Sequence, residues 1–258
     1  MAAFADALPG ERRVLTIDEQ QRWGGVGRLN HAAGSFCSGA LIAPDTVLTA
    51  AHCVIEERTN QPVPTTELRF VAGLRTGVYT AHRRAVQAKV HPDWAGYRTS
   101  GKVTVPGDIA LVKLETPISR IEAPRFAVGP APNEGDAVTL VSYGRGREGA
   151  LSIQEPCYVV KRYAASLELN CNVINGTSGA PVFNDRGEVV AVISAGELGA
   201  LRDGGAERSF AVIAEGAVDV LNGPVRVQAR PTGVVSDRFR KAPAGGSRLP
   251  GGKKAPSR

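Results

Sequence analysis

No stretch of this chain approaches the roughly 18 uninterrupted apolar residues that a membrane-crossing helix requires. No membrane span is therefore expected. The start, Met1-Ala-Ala-Phe-Ala-Asp-Ala-Leu8, lacks the basic opening and long apolar centre of a secretory signal. Either a signal has been removed or the chain begins downstream of one. Histidine is scarce, at four residues, and no two cysteines stand in C-x-x-C spacing. That excludes the common zinc-ligand patterns, and neither a metal nor a cofactor is expected. There is no internal repeat and no alternation of strands with long helices.

What is present suits a β protein. Hydrophobic residues make up 43% of 258, enough to bury a core, with Gly 30 and Pro 17 supplying turns. Twelve short strand-like runs recur: 26–30, 36–43, 46–50, 68–71, 86–90, 109–114, 137–143, 158–163, 167–171, 180–183, 189–194 and 210–213. They are rich in Val, Ile, Leu and Thr, and turn clusters such as Asn184-Asp-Arg-Gly187 separate them. Sandwiches or barrels are the architectures such a pattern builds. A short helix is expected at Ala214–Leu221, and a second after Ala50, through His52 to Glu57. Glu115–Asn133 resembles a connector between halves.

The formal net charge of +6 first suggests an acidic partner. However, the whole excess lies in residues 231–258, where seven basic residues face one acid, while the preceding 230 residues are balanced. That tail is rich in Pro, Gly and Ser and reads as disordered. No nucleic-acid partner is expected.

The four cysteines, Cys37, Cys53, Cys157 and Cys171, fall into two local pairs. Two disulfides in an oxidising compartment would explain them, as would four free thiols in a reducing one. Each bridge would close a loop of roughly 15 residues and contribute about 3 kcal/mol.

Candidate chemistry centres on Asn175-Gly-Thr-Ser178-Gly-Ala-Pro181. Gly176 lets the backbone bend so that its N–H and that of Ser178 face one small space, as stabilising an oxyanion requires. Gly-Thr-Ser-Gly is also ordinary turn composition. A serine nucleophile needs a base, and His52 ends an apolar run beside Cys53. A Cys37–Cys53 bridge would give it a stiff support. The base needs a carboxylate to hold its tautomer, and Asp108 stands at the mouth of the run 109–114. Gly144-Arg-Gly-Arg-Glu-Gly149 spells a dinucleotide motif, but no helix opens there, so it reads as a loop.

Together these segments resemble the trypsin-like (chymotrypsin-fold) serine proteases, bacterial type, related to the glutamyl endopeptidase branch. The carrying residues are Leu48-Thr-Ala-Ala-His52-Cys53, Gly107-Asp108-Ile-Ala-Leu-Val-Lys-Leu114 and Gly176-Thr-Ser178-Gly-Ala-Pro181, in the family's order. Phe36-Cys-Ser-Gly-Ala-Leu-Ile42, His91-Pro92 and Val141-Ser-Tyr143-Gly144 add to them. The resemblance spans roughly residues 22–222.

It implies an all-β fold of two antiparallel Greek-key β-barrels with a short C-terminal helix. Residues 22–120 would form the first barrel and 121–229 the second, between a leader or processed segment (1–21) and the basic tail (230–258). It implies His52 as general base, Asp108 as its orienting acid, Ser178 as nucleophile, and the N–H groups of Gly176 and Ser178 as oxyanion hole. Bridges Cys37–Cys53 and Cys157–Cys171 follow from the same resemblance. Asn172 would lie at the base of the primary pocket, where an amide cannot supply the charge that selects Lys or Arg. Ser209, Phe210 and Ala211 would be the edge strand that pairs with substrate, with Arg208 before it.

The implied activity is that of a secreted or periplasmic serine endopeptidase, a monomer acting on protein or peptide substrates. The alternatives are a latent protease-fold binding protein and a basic-tail module for anionic partners. Thr177 stands where animal relatives carry an Asp that pairs with a freed N-terminal amine. Activation by N-terminal insertion is thus not expected, and Glu11-Arg-Arg-Val14 reads equally as a processing site before the mature domain or as an exposed charged segment.

Overall fold

The computed structural model describes residues 9–97, 105–196 and 208–223. The basic tail lies outside them. The chain enters through a short strand, β1 (Arg13–Val14), and a helix, α1 (Ile17–Trp23). Thr16 starts that helix with a capping box: its hydroxyl accepts the Glu19 N–H, and the Glu19 carboxylate accepts the Thr16 N–H. The Thr-x-x-Glu spelling was a readable helix signal that the strand pattern overshadowed.

Six strands follow: β2 (Val26–His31), β3 (Phe36–Ala43), β4 (Thr46–Thr49), β5 (Leu68–Ala72), β6 (Ala81–Val90) and β7 (Ala110–Leu114). They close into a barrel in the order β2-β3-β4-β7-β6-β5, all antiparallel, with β2 pairing back onto β5. Inward residues such as Leu29, Leu48, Phe70 and Val112 are fully buried. Burying them supplies the apolar driving force.

The second half contributes β8 (Ala137–Ser142), β9 (Ser152–Arg162), β10 (Ser166–Leu169), β11 (Pro181–Phe183), β12 (Val189–Gly196) and β13 (Ser209–Ile213). They run β9-β10-β13-β12-β11-β8, and the β8–β9 pairing closes a second barrel. β1 adds to the outer side of β9 through Arg13 opposite Ile153. The short helix α2 (Ala217–Asn222) ends the described chain. The expected two-barrel architecture is therefore present, and each of the twelve expected strand runs overlies a strand. The helix expected from Ala50 to Glu57 shortens to one 3-10 turn, Ala51–Cys53. A disulfide at its end and the Asp108 contacts described below hold it there.

Aromatic rings bind the two halves. Trp23 of α1 packs tilted against Phe183 of β11 at 4.6 Å between centroids, and Phe126 of the connector meets the same ring edge-on at 4.8 Å.

Candidate active site

His52 occupies the 3-10 turn after β4, and Cys53 is bridged to Cys37 of β3 across a Cα separation of 6.1 Å. Asp108 immediately precedes β7 and is fully buried. A buried carboxylate must collect donors, and this one collects three. One oxygen accepts the His52 backbone N–H at 2.8 Å. The other lies 2.7 Å from His52 Nδ1 and accepts the Ser194 hydroxyl at 2.5 Å. The Tyr97 hydroxyl donates to the His52 carbonyl at 2.9 Å. Burial, and then the negative charge of Asp108, raise the Tyr97 phenol well above its usual value, which keeps it a donor.

The turn carrying Ser178 is seated against the first barrel. Fully buried Ser38 of β3 donates its N–H to the Ser178 carbonyl at 2.8 Å and its hydroxyl to the Gly176 carbonyl at 3.0 Å. The same hydroxyl accepts the Tyr143 N–H at 3.0 Å, so one side chain ties both barrels to the serine turn. A Cβ on Gly179 would stand 2.2 Å from Thr49 Oγ1 and 3.1 Å from the Ala50 nitrogen, two residues short of His52. Gly179 N–H also donates to Ile193, the neighbour of Ser194. The hydroxyl of Ser178 and Nε2 of His52 make no hydrogen bond among the described residues.

Gly176 has φ +93, and a Cβ there would lie 2.4 Å from the Phe36 ring. Only glycine accepts that conformation at low cost. The Thr177 N–H is used up by the Ile174 carbonyl at 3.0 Å. Those of Gly176 and Ser178 meet no acceptor among the described residues. Among the described residues the turn thus leaves these two donors unpaired.

Asn172 is half-buried directly after Cys171, which is bridged to Cys157. The expected substrate edge at Ser209, Phe210 and Ala211 needs correction. Those residues sit in β13, which pairs with β10 on one side and β12 on the other. Their backbone is already committed to the barrel. Among the described residues, the strand end that pairs only on its β13 side is 194–196 of β12, where Ala195 and Gly196 oppose Phe210 and Ser209. Arg208 is held by an exposed ion pair to Glu168.

Local sequence does not single out Ser194, whose partner Asp108 is 86 positions away, nor Ser38, which bridges 138 positions to Gly176. One group of potential metal ligands occurs among the described residues, Cys37, His52 and Cys53. Both sulfurs are consumed by the disulfide, so the set does not fit a metal.

Two closed antiparallel barrels, with a buried Asp–His pair beside a serine turn, define the chymotrypsin-fold class of protein. The chain belongs to the trypsin-like peptidase family, whose domain matches residues 37–192, more than half of it. It is similar to trypsin of Sarcophaga bullata, with 31% identity over 112 residues, 42% of this chain and 40% of the relative. Human chymotrypsin-like elastase family member 3B is 33% identical over 130 residues, 49% of this chain and 40% of the relative. The chain thus spans less than half the length of these relatives. A solved Glu endopeptidase shares the fold, with TM-score 0.68 and 16% identity, over 85% of this chain and 98% of that one.

Proposed function

We propose that the protein is a serine endopeptidase acting through Ser178, His52 and Asp108. The supporting observation is the buried carboxylate that takes both the His52 backbone N–H and Nδ1 while the two N–H groups flanking Thr177 stay unpaired. With Nδ1–H donated to Asp108, Nε2 is free to take the Ser178 proton as Oγ attacks the scissile carbonyl. The N–H groups of Gly176 and Ser178 stabilise the oxyanion. Collapse expels the amine, protonated from Nε2, and leaves an acyl-enzyme. Water, deprotonated by the same nitrogen, releases the acid.

Residues 22–120 would then supply the base and 121–229 the nucleophile. An extended substrate would add as a strand beside 194–196. At the pocket base an amide, Asn172, replaces any acid, and the Arg12 guanidinium donates to the Asn172 carbonyl. The amide, which cannot supply the charge of an acid, disfavours Lys and Arg side chains. Two disulfides suit a secreted or periplasmic setting.

The test is covalent labelling with a fluorophosphonate probe, located by mass spectrometry. Wild-type protein labels at Ser178 and hydrolyses peptides. Ser178→Ala does neither while keeping its melting temperature within a few degrees. An oxidised wild-type protein that never labels would leave a latent binding protein as the answer. A peptide-library digest with strict Lys or Arg cleavage would overturn the proposed pocket preference.

A further inference from the structure

The segment before β2 makes contacts that the proposed reaction does not use. Gly10 donates its N–H to the Pro156 carbonyl at 2.7 Å. It approaches β9 so closely that a Cβ would lie 2.0 Å from the Glu155 carbonyl oxygen. The Gln154 side chain spans two distant pieces of chain. Its Nε2 donates to the Gly10 carbonyl at 3.0 Å, and its Oε1 accepts the Asn172 N–H at 3.0 Å. Arg12 donates to the carbonyl of the same Asn172. Arg147 in turn donates to the Arg12 carbonyl at 2.9 Å. Both backbone groups of Asn172 are therefore held, one directly and one through Gln154, by residues 10 and 12.

From Asn172 the constraint runs into the serine turn. Cys171 is anchored by its bridge. Ile174 and Thr177 close on each other, N–H to carbonyl at 3.0 Å and N–H to hydroxyl at 3.4 Å. The Arg145 N–H holds the Asn175 carbonyl at 2.7 Å. Thr177 offers no carboxylate that a freed amine could pair with.

Arg12 is an unusual tie. Its Nε and Nη1 are buried and meet no hydrogen-bond partner among the described residues. Burial, and then the charge of Arg147, lower it to about 10, which leaves it protonated at neutral pH. Arg13, by contrast, is exposed and paired with Glu19 at 2.7 Å.

We propose that residues 9–16 are a strap, with Arg12 its positioning residue, that holds the loop from Asn172 to Ser178 in its donor-inward form. The inference rests on the serine-protease reading above. It bears directly on the candidate processing site at Glu11-Arg-Arg-Val14. Hydrolysis after Arg12 or Arg13 would part Gly10 and Arg12 from β1, slacken both ties on Asn172, and lower turnover instead of raising it.

The experiment compares full-length wild type, Arg12→Met, Arg12→Lys and Gln154→Met. It measures kcat, KM, the rate of fluorophosphonate labelling and Tm. Losing an oxyanion donor outright lowers kcat by about 10²–10³. Displacing the loop in Arg12→Met is therefore expected to lower kcat and the labelling rate at least about tenfold, with KM nearly unchanged. Arg12→Lys recovers part of that loss, and Gln154→Met shows the same split between kcat and KM. A purely structural role moves Tm alone, and kcat within about twofold of wild type in Arg12→Met overturns the proposal. A wild-type protein that neither labels nor hydrolyses sinks the serine-protease reading instead. Independently of any variant, the N-terminus of the labelled, active protein must lie at or before Gly10. Full turnover from a chain beginning after Arg12 overturns the strap.

Discussion

Replacing Asp108 by Asn probes the site through the smallest change of shape. One carboxylate oxygen serves the His52 backbone N–H at 2.8 Å, and the other serves Nδ1 at 2.7 Å and the Ser194 hydroxyl at 2.5 Å. An amide has one acceptor and one donor end, so it cannot serve both places. If its oxygen faces the backbone N–H, its NH₂ donates to Nδ1. The imidazole proton then moves to Nε2, which can no longer accept from Ser178. If the amide is flipped, the ring keeps its tautomer, but a donor faces the His52 N–H in a dry site. An unsatisfied buried group of that kind costs about 1–3 kcal/mol. Either orientation also removes the charge that stabilises the imidazolium. Together these effects predict a fall in kcat of about 10⁴, equivalent to about 5.4 kcal/mol at 1.36 kcal/mol per decade. KM should change little, because Asp108 is fully buried and cannot touch a bound substrate. Steady-state hydrolysis of a peptide ester near neutral pH, after confirming the fold by circular dichroism, measures both constants. A variant within tenfold of wild-type kcat would refute Asp108 as the residue that holds the His52 tautomer.

Three further outcomes follow from the same structure. Gly176→Ala places a Cβ 2.4 Å from Phe36 at φ +93, and kcat should fall by about 10²–10³ while KM is largely kept. Removing the Cys37–Cys53 bridge, which spans 16 positions, with the pair Cys37→Ala and Cys53→Ala should cost about 3 kcal/mol of stability in denaturant melts. His31 is driven below its ordinary value, chiefly by burial. The unfolded chain therefore binds more protons below about pH 6.5. Stability from this group is complete above that pH and is lost as pH falls toward the folded value. Urea melts at stepped pH should show that slope, and His31→Phe should flatten it.

The parts of the site that a reader could find in the sequence are those carried by contiguous residues. His52 and Ser178 sit in local patterns, and Asp108 precedes an apolar run that has to be a buried strand. The strands were legible because short runs rich in Val, Ile, Leu and Thr between turn clusters imply strands regardless of their partners, whereas their closure into two barrels was implied only by the family resemblance. What escaped depends on pairing between distant segments. Ser194 matters through Asp108, Ser38 through Gly176, and Arg12 through Asn172, and none of these pairs leaves a local trace. The misplaced substrate edge has the same origin. Phe210 lies in a plausible strand, but whether a strand has a free side depends on β10 and β12, not on its own residues. Residues 13–14 were passed over because two residues are too few to show any period.

The attachment of β1 to β9 has a consequence in time. Arg12 and its partner Asn172 are 160 positions apart. A ribosome adding about 5–20 residues per second makes the strap on the order of ten seconds before the loop it secures exists. Residues 10–12 therefore cannot complete their contacts until the chain has been made as far as Asn172, after the whole first barrel. Until they dock, the loop bearing Ser178 lacks two of its ties, so the proposed mechanism predicts low reactivity in a nascent chain whose His52–Asp108 pair is already formed. Under the proposed strap, the order of synthesis itself delays activity.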